Sequence, residues 1–325
     1  MFNSIYSDHL EEYCSLRRTI LSESAWKHEL CYLKRFDDYV STRLKSFGCI
    51  SYSFIHEWIR TLSGKSSSKA NEIIVVRQFL NYLIVSGERV AIPSVPKVHD
   101  DYIPYIFSDA ELEQIFSSAD NVIRKDPRVD PYLSIEFPVI LRLLYCCGLR
   151  IGETVRISME DVDLPNGILR MIHTKGDKHR LVPMASGMTD ILNKYCMAMG
   201  LLGANTGWLF PSSRNESHIS DKAVKRQFES ILRENGIYPV NHKKHERGPC
   251  LHCMRHVFAF RSFAQAEREG RNMEYTVPFL SIYLGHDSFN ETVKYLKFSN
   301  ELYPESIDIF GEFMKELLPE ADYEA

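Results

Sequence analysis

Residues 242–256 read "HKKHERGPCLHCMRH", and two incompatible folds follow from two ways of pairing its side chains. His242-x-x-His245 followed by Cys250-x-x-Cys253 is a four-ligand zinc set, the nucleus of a zinc-dependent DNA-binding regulator. Pro249 and the four-residue gap between the pairs, however, leave no finger-like loop. The other reading starts a helix over 251–267, which places His252 and Arg255 three residues apart on one face. One proton-transfer group beside one fixed cation is equipment for phosphate chemistry. This reading makes Cys253 a helix residue and asks for a mostly helical domain around it.

At 325 residues the chain is long enough for two domains, and its 44% apolar content supports ordinary globular cores. No run approaches the roughly 18–20 apolar residues of a membrane span, and "MFNSIYSDHLEEYC" has neither a basic nor an apolar leader region. Eight irregularly spaced cysteines suggest reduced thiols, hence a cytoplasmic protein. The net charge of −4 argues at first against a nucleic-acid partner, but its distribution matters more. Residues 1–97 carry 13 Lys+Arg against 10 Asp+Glu, and residues 98–298 carry 25 against 25. Residues 299–325 hold one Lys against eight acids, so the body ahead of this tail is at +3 and DNA binding is permitted.

Four helical segments fill the first ninety residues. In the second, Trp26, Leu30, Leu33, Phe36, Tyr39 and Val40 form one stripe, and the fourth ends at Gly87, a natural C-terminal cap. "AIPSVPKVHDDYIP" has three prolines and no periodicity, which marks a linker over 91–106 between a helical domain (1–90) and a second domain (107–325). Ser108 and Glu111 form a capping box ahead of "AELEQIF". "FPVILRLLYCC" is a buried helix interrupted at Gly148, and "GILRMIHT" and "HRLVPM" alternate around "KGDK" as a β-hairpin. Helices are predicted over 188–200, 221–235, 251–267, 277–284, 289–297 and 305–318. The fold class is mainly α with a small β-sheet. "LSGKSS" is no phosphate loop, because position 59 is Ile and no strand precedes it.

Four stretches carry chemistry. Arg150 in "CCGLRIGE" lies in an apolar neighbourhood, where an arginine either pairs with Glu153 or presents its fork to a phosphate. Lys175 and Lys178 sit at the hairpin tip; most turn lysines are merely solvated, but one held against a phosphodiester could protonate a leaving oxygen. His252 and Arg255 are the third pair. His286 in "YLGHD" and Tyr295 in "ETVKYLKF" are the fourth, although a tyrosine on an amphipathic helix is usually a core-edge residue.

Taken in order, "GLRIGE", "TKGDKHRLVPM", "HCMR", "YLGHD" and Tyr295 resemble the tyrosine recombinase (phage integrase-like) family over nearly the whole chain, in its simple two-domain form. The resemblance implies a SAM-like core-binding domain and a mixed, mostly helical catalytic domain, closing as a C-shaped clamp on double-stranded DNA with specific recombination sites. It implies that Arg150 and Arg255 grip the scissile phosphate and that Tyr295 attacks it, forming a 3′-phosphotyrosine. Lys175 would be the general acid, His252 would assist proton transfer, His286 would hydrogen-bond the phosphate and Glu153 would brace the site. No metal or nucleotide cofactor is implied. A homotetramer on DNA is, with monomers or dimers off it; the apolar stripe Phe310, Phe313, Met314 and Leu317 of the last helix either packs on its own domain or, as the resemblance implies, docks on a neighbour.

Lys34, Arg35, Lys69 and Arg77 are candidate DNA contacts on the second and fourth helices, with solvated helix faces as the bland alternative. A type IB topoisomerase would share the nucleophile and cations; relaxation of supercoils by a monomer at no defined site would mark it. One departure from the family pattern is the 31-position span from Arg255 to His286, about two helical turns longer than usual, placed around "AQAEREGRNMEYTV".

Overall fold

A stripe of aromatic and branched residues at helical spacing builds the first unit, which runs from Met1 to Asp101. The structure, a computed structural model, describes residues 2–44, 49–98, 104–122, 130–172, 179–204, 206–214, 216–237, 248–286 and 288–297. Four helices, α1 (Ser7–Ile20), α2 (Glu23–Arg43), α3 (Tyr52–Thr61) and α4 (Ser66–Val85), pack around Leu10, Leu33, Phe36, Trp58, Val76, Phe79 and Leu80. Phe36 meets Trp58 edge-on at 5.0 Å, and each such fully buried side chain contributes about 1.5–3 kcal/mol. Buried Glu29 is held by a forked pair from Arg17 at 2.6 and 2.9 Å. Gly87 adopts φ +94° and lets the Glu88 N–H return to the Leu83 carbonyl.

The proline-bearing stretch is claimed from both ends. Ala91 donates to the Ile50 carbonyl at 2.7 Å and Arg77 donates to the Pro93 carbonyl, which ties 91–93 to the first unit. Phe107 is buried in the core of the second, which runs from Tyr102 to Ala325.

The second unit opens with α5 (Asp109–Asp120), capped reciprocally by Ser108 and Glu111 as the sequence predicts. Buried α6 (Leu133–Cys146) and the single turn α7 (Ile151–Thr154) follow. A three-stranded antiparallel sheet comes next: β1 (Val162–Asp163), β2 (Ile168–Met171) and β3 (Arg180–Pro183), with Leu169 opposite Val182. The hairpin is where alternation places it; β1, two residues long, is too short to leave a periodic signal. Helices α8 (Ser186–Ala198), α9 (Asp221–Glu234), α10 (Cys253–Arg268), α11 (Met273–Leu284) and α12 (Phe289–Lys297) complete it. Between Arg255 and His286, α10 runs to Arg268, one residue past the predicted 267, and α11 starts four residues before the predicted 277, where the Asn272 side chain accepts from Glu274 N–H. Helix 305–318 lies outside the described residues.

The α6–α7 corner turns on Gly148, at φ +59°, where a Cβ would stand 2.4 Å from Phe258 Cδ1. Both the left-handed backbone and the clash oppose any side chain there. Gly148→Ala is therefore expected to lower the stability of the second unit by ~2–4 kcal/mol. Urea unfolding checks this, with a lower midpoint at unchanged slope as the expected result.

Candidate active site

An α-helix ends with carbonyls that have no partner within the helix and that carry the negative end of its dipole. At the end of α11 those carbonyls hold two arginines. Arg255, in the first turn of α10, donates from Nη2 to the Leu284 carbonyl at 2.7 Å and from Nη1 to the Gly148 carbonyl at 2.6 Å. Arg150, the residue before α7, donates from Nη2 to the Gly285 carbonyl at 2.9 Å and from Nη1 to Glu153 Oε1 at 2.9 Å. Gly285 makes this possible by ending α11 at φ +66°, after which the His286 N–H returns to the Ser281 carbonyl.

Glu153 is the hub of the charges. Its Oε1 takes Arg150 and its Oε2 takes Arg180 from β3 at 2.8 Å. Burial alone would raise this carboxyl, but Arg180 and then Arg150 outweigh it and hold the pKa below the usual carboxylate value. Among the described residues three guanidiniums thus gather around the Glu153 carboxylate, in a largely buried place. Arg255 is 1% exposed, and burial followed by the neighbouring Arg150 brings its pKa down to about 10, still a cation at neutral pH. Nε and Nη1 of Arg180 are buried without a hydrogen-bond partner among the described residues, and a Cβ on Gly285 would stand 3.0 Å from that Nη1.

The ring of Tyr295 belongs to the apolar cluster of Ala259, Phe263, Val277, Leu280, Leu284 and Val293 between α10, α11 and α12. Its hydroxyl meets His256 Nδ1 at 3.0 Å. Burial pushes the phenol's pKa up, while Arg255 and Arg150 pull against it. His286 stacks 6.2 Å from the Tyr295 ring, and its Nδ1 contacts Thr292 Oγ1 at 2.6 Å. Burial, then Arg255 and Arg150, lower the His286 pKa to about 3, so the ring is neutral.

Arg150, Glu153, Arg255, His286 and Tyr295 therefore come together. His252 stands exposed at the start of α10, edge-on to His256 at 4.6 Å. Lys175 and Lys178 lie outside the described residues, as do His242 and His245 of the zinc alternative. The remaining half of that alternative is a pair of sulfurs 3.6 Å apart, with the Cys253 thiol pushed up by the Cys250 hydrogen bond and by burial. In the first unit Lys34 is exposed and Lys69 half-buried, whereas Arg35 pairs with Glu72 at 3.0 Å and Arg77 holds Pro93.

Three polar contacts escaped the sequence reading. His256 lies four residues from His252, on the same helical face, a spacing that was available. Arg180 shares the inward parity of Val182 on β3, an arginine where period two calls for an apolar residue. Thr292 gives no signal of its own.

The description "Phage integrase family" matches residues 107–301. A protein of Sinorhizobium fredii named as an integrase/recombinase, y4rE, is 26% identical over 314 residues, 93% of this chain and 94% of its own. The tyrosine recombinase XerC of Staphylococcus saprophyticus is 24% identical, over 83% of this chain and 84% of its own. Among solved structures, XerH site-specific recombinase bound to palindromic difH substrate superposes with a TM-score of 0.67 at 19% identity, covering 93% of this chain and 84% of that one. A lambda integrase dimer bound to a COC′ core site gives 0.64 at 16%, covering 89% and 94%.

The neutral His286 ring has a consequence for stability. As pH falls from 6.5 toward about 3, the unfolded chain binds a proton that the folded ring refuses, so stability present above 6.5 is lost across this window. For this partly buried ring we expect a loss of at most ~1 kcal/mol per pH unit, which His286→Asn removes. Urea midpoints between pH 7 and 5, wild type against variant, measure the difference in slope.

Proposed function

Since the chain belongs to the phage integrase family, we propose that it is a site-specific DNA recombinase that cuts and rejoins double-stranded DNA through a 3′-phosphotyrosine on Tyr295. The observation that carries this reading is that Arg150 and Arg255 both hold the carbonyl end of α11 and both act electrostatically on the buried Tyr295 phenol. A phosphorane in flight gains negative charge on its equatorial oxygens, and cations fixed beforehand stabilise it more than the ground state. Arg150 and Arg255 supply that charge, and Glu153 holds Arg150 in place. Lys175, which falls between β2 and β3 in the sequence, is assigned the proton for the departing 5′ oxygen. His286, neutral and tied to Thr292, is assigned a hydrogen bond to the phosphate.

The covalent link conserves the energy of the phosphodiester, so rejoining needs neither a nucleotide nor a metal cofactor. Exchange between two sites needs four active subunits, hence a homotetramer on DNA. The first unit, with Lys34 exposed on α2, is assigned to the DNA backbone, which makes affinity fall with salt.

The target site need not be known for the test. A pool of nicked duplexes of random sequence is incubated with the protein, and covalent adducts are isolated under denaturing conditions and sequenced. Wild type is expected to enrich a defined sequence, Tyr295→Phe to form no adduct, and Arg255→Lys to form it ~100-fold more slowly. An adduct that survives Tyr295→Phe overturns the nucleophile assignment, and Tyr283 and Tyr303 are tested next.

A further inference from the structure

The histidine touching the nucleophile is not the one that the sequence pattern nominates. His256 Nδ1 lies 3.0 Å from the Tyr295 hydroxyl, and the rings are 5.4 Å apart. His252, one turn earlier on α10, is exposed and packs edge-on against His256 at 4.6 Å. His256 is 6% exposed and fixed in the first turn of α10 beside Arg255, so its ring is delivered to the phenol by the same helix that delivers the phosphate-binding cation. We propose that His256 is a catalytic residue, the group that takes the proton from Tyr295 as it attacks and returns it when the tyrosine is released. This inference rests on the reading of the chain as a recombinase.

The step balances. Tyr295 Oη forms a bond to phosphorus while its O–H bond breaks and the proton passes to His256 Nδ1, which becomes imidazolium. The P–O5′ bond breaks, and O5′ leaves with a proton from the general acid, Lys175 on the proposed reading. In rejoining, a 5′-hydroxyl attacks the phosphotyrosine and gives its proton back to the Lys175 amine, Oη leaves, and the imidazolium returns its proton to Oη. Nδ1 accepts when the neutral ring carries its hydrogen on Nε2.

The surroundings explain why a base is needed. A phenol with reference pKa ~10 is protonated at neutral pH, and burial pushes Tyr295 higher still. Arg255 and Arg150 oppose this and Glu291 reinforces it, while His252 and His286 are the other titratable rings facing the pair. The arginines lower the charge cost of a phenolate without offering a place for its proton. His256 offers that place within hydrogen-bond reach.

A buried His–Tyr hydrogen bond could also be purely structural, and the test separates the two roles. His256→Asn places an amide where Nδ1 stood, so it keeps a hydrogen-bond partner for the phenol and cannot accept its proton. Adducts are followed in single turnovers on the nicked duplex recovered from the random pool, using the full chain. We expect His256→Asn to cleave ~100-fold more slowly than wild type at pH 7 and to gain about tenfold per pH unit as the phenol ionises unaided.

A duplex with sulfur in place of the bridging 5′ oxygen needs no general acid. It should restore Lys175→Ala and leave His256→Asn slow. Free imidazole should raise the rate of His256→Ala, a second readout should the Asn variant fold poorly. Cleavage by His256→Asn within about threefold of wild type, or its rescue by the sulfur substrate, overturns the proposal while the recombinase reading stands. No adduct with wild type on any duplex in the pool removes that reading and this inference with it.

Discussion

The Arg255 guanidinium, buried and bonded at once to the Gly148 and Leu284 carbonyls, is the constraint from which the rest of the site follows. A buried charge is tolerated only where its N–H groups are matched, so three pieces of chain must converge on one side chain. The α6–α7 corner has to turn its carbonyl inward, which needs the left-handed Gly148. Helix α11 has to stop at Leu284 with open carbonyls, which needs the left-handed Gly285. Helix α10 has to begin close enough to bring Arg255 to both. The glycines are thus consequences of the arginine, and they are found two residues before Arg150 and one before His286 because those residues share the same corner.

Charge balance then decides what the corner can do. Glu153 is shared between Arg150 and Arg180, so the carboxylate fixes two guanidiniums and neutralises one charge only. Among the described residues the charge left over acts on the Tyr295 phenol, whose ring is held among Phe263, Leu280 and Leu284. Burial keeps the phenol protonated, and the nearby arginines lower the cost of ionising it. On the proposed reading, a phosphate supplies the missing negative charge, and the nucleophile gains its full reactivity only beside one.

Much of this was legible in the sequence because it rests on local periodicity. The helices of the first unit, the Ser108–Glu111 box and the β2–β3 hairpin follow from spacing alone, and Arg150–Glu153 is a contact between neighbours three residues apart. What was not legible depends on distant chain. Whether His252 or His256 meets Tyr295 is set by how α12 crosses α10, thirty-nine residues away, and spacing within α10 permits either. The inward parity of Arg180 on β3 is in the sequence, but its partner Glu153, twenty-seven residues away, is not.

The 31 positions between Arg255 and His286 are spanned by α10 and α11. Helices α10 and α11 run as a hairpin, with Gly270 at its closed end in the left-handed conformation. Arg255 lies at the start of α10 and His286 just past the end of α11, both at the open end. Adding a turn of about 5.4 Å to each helix lengthens the hairpin at its closed end and leaves the separation of its open ends unchanged. The Leu284 and Gly148 carbonyls, not the length of the connecting chain, therefore set where Arg255 points.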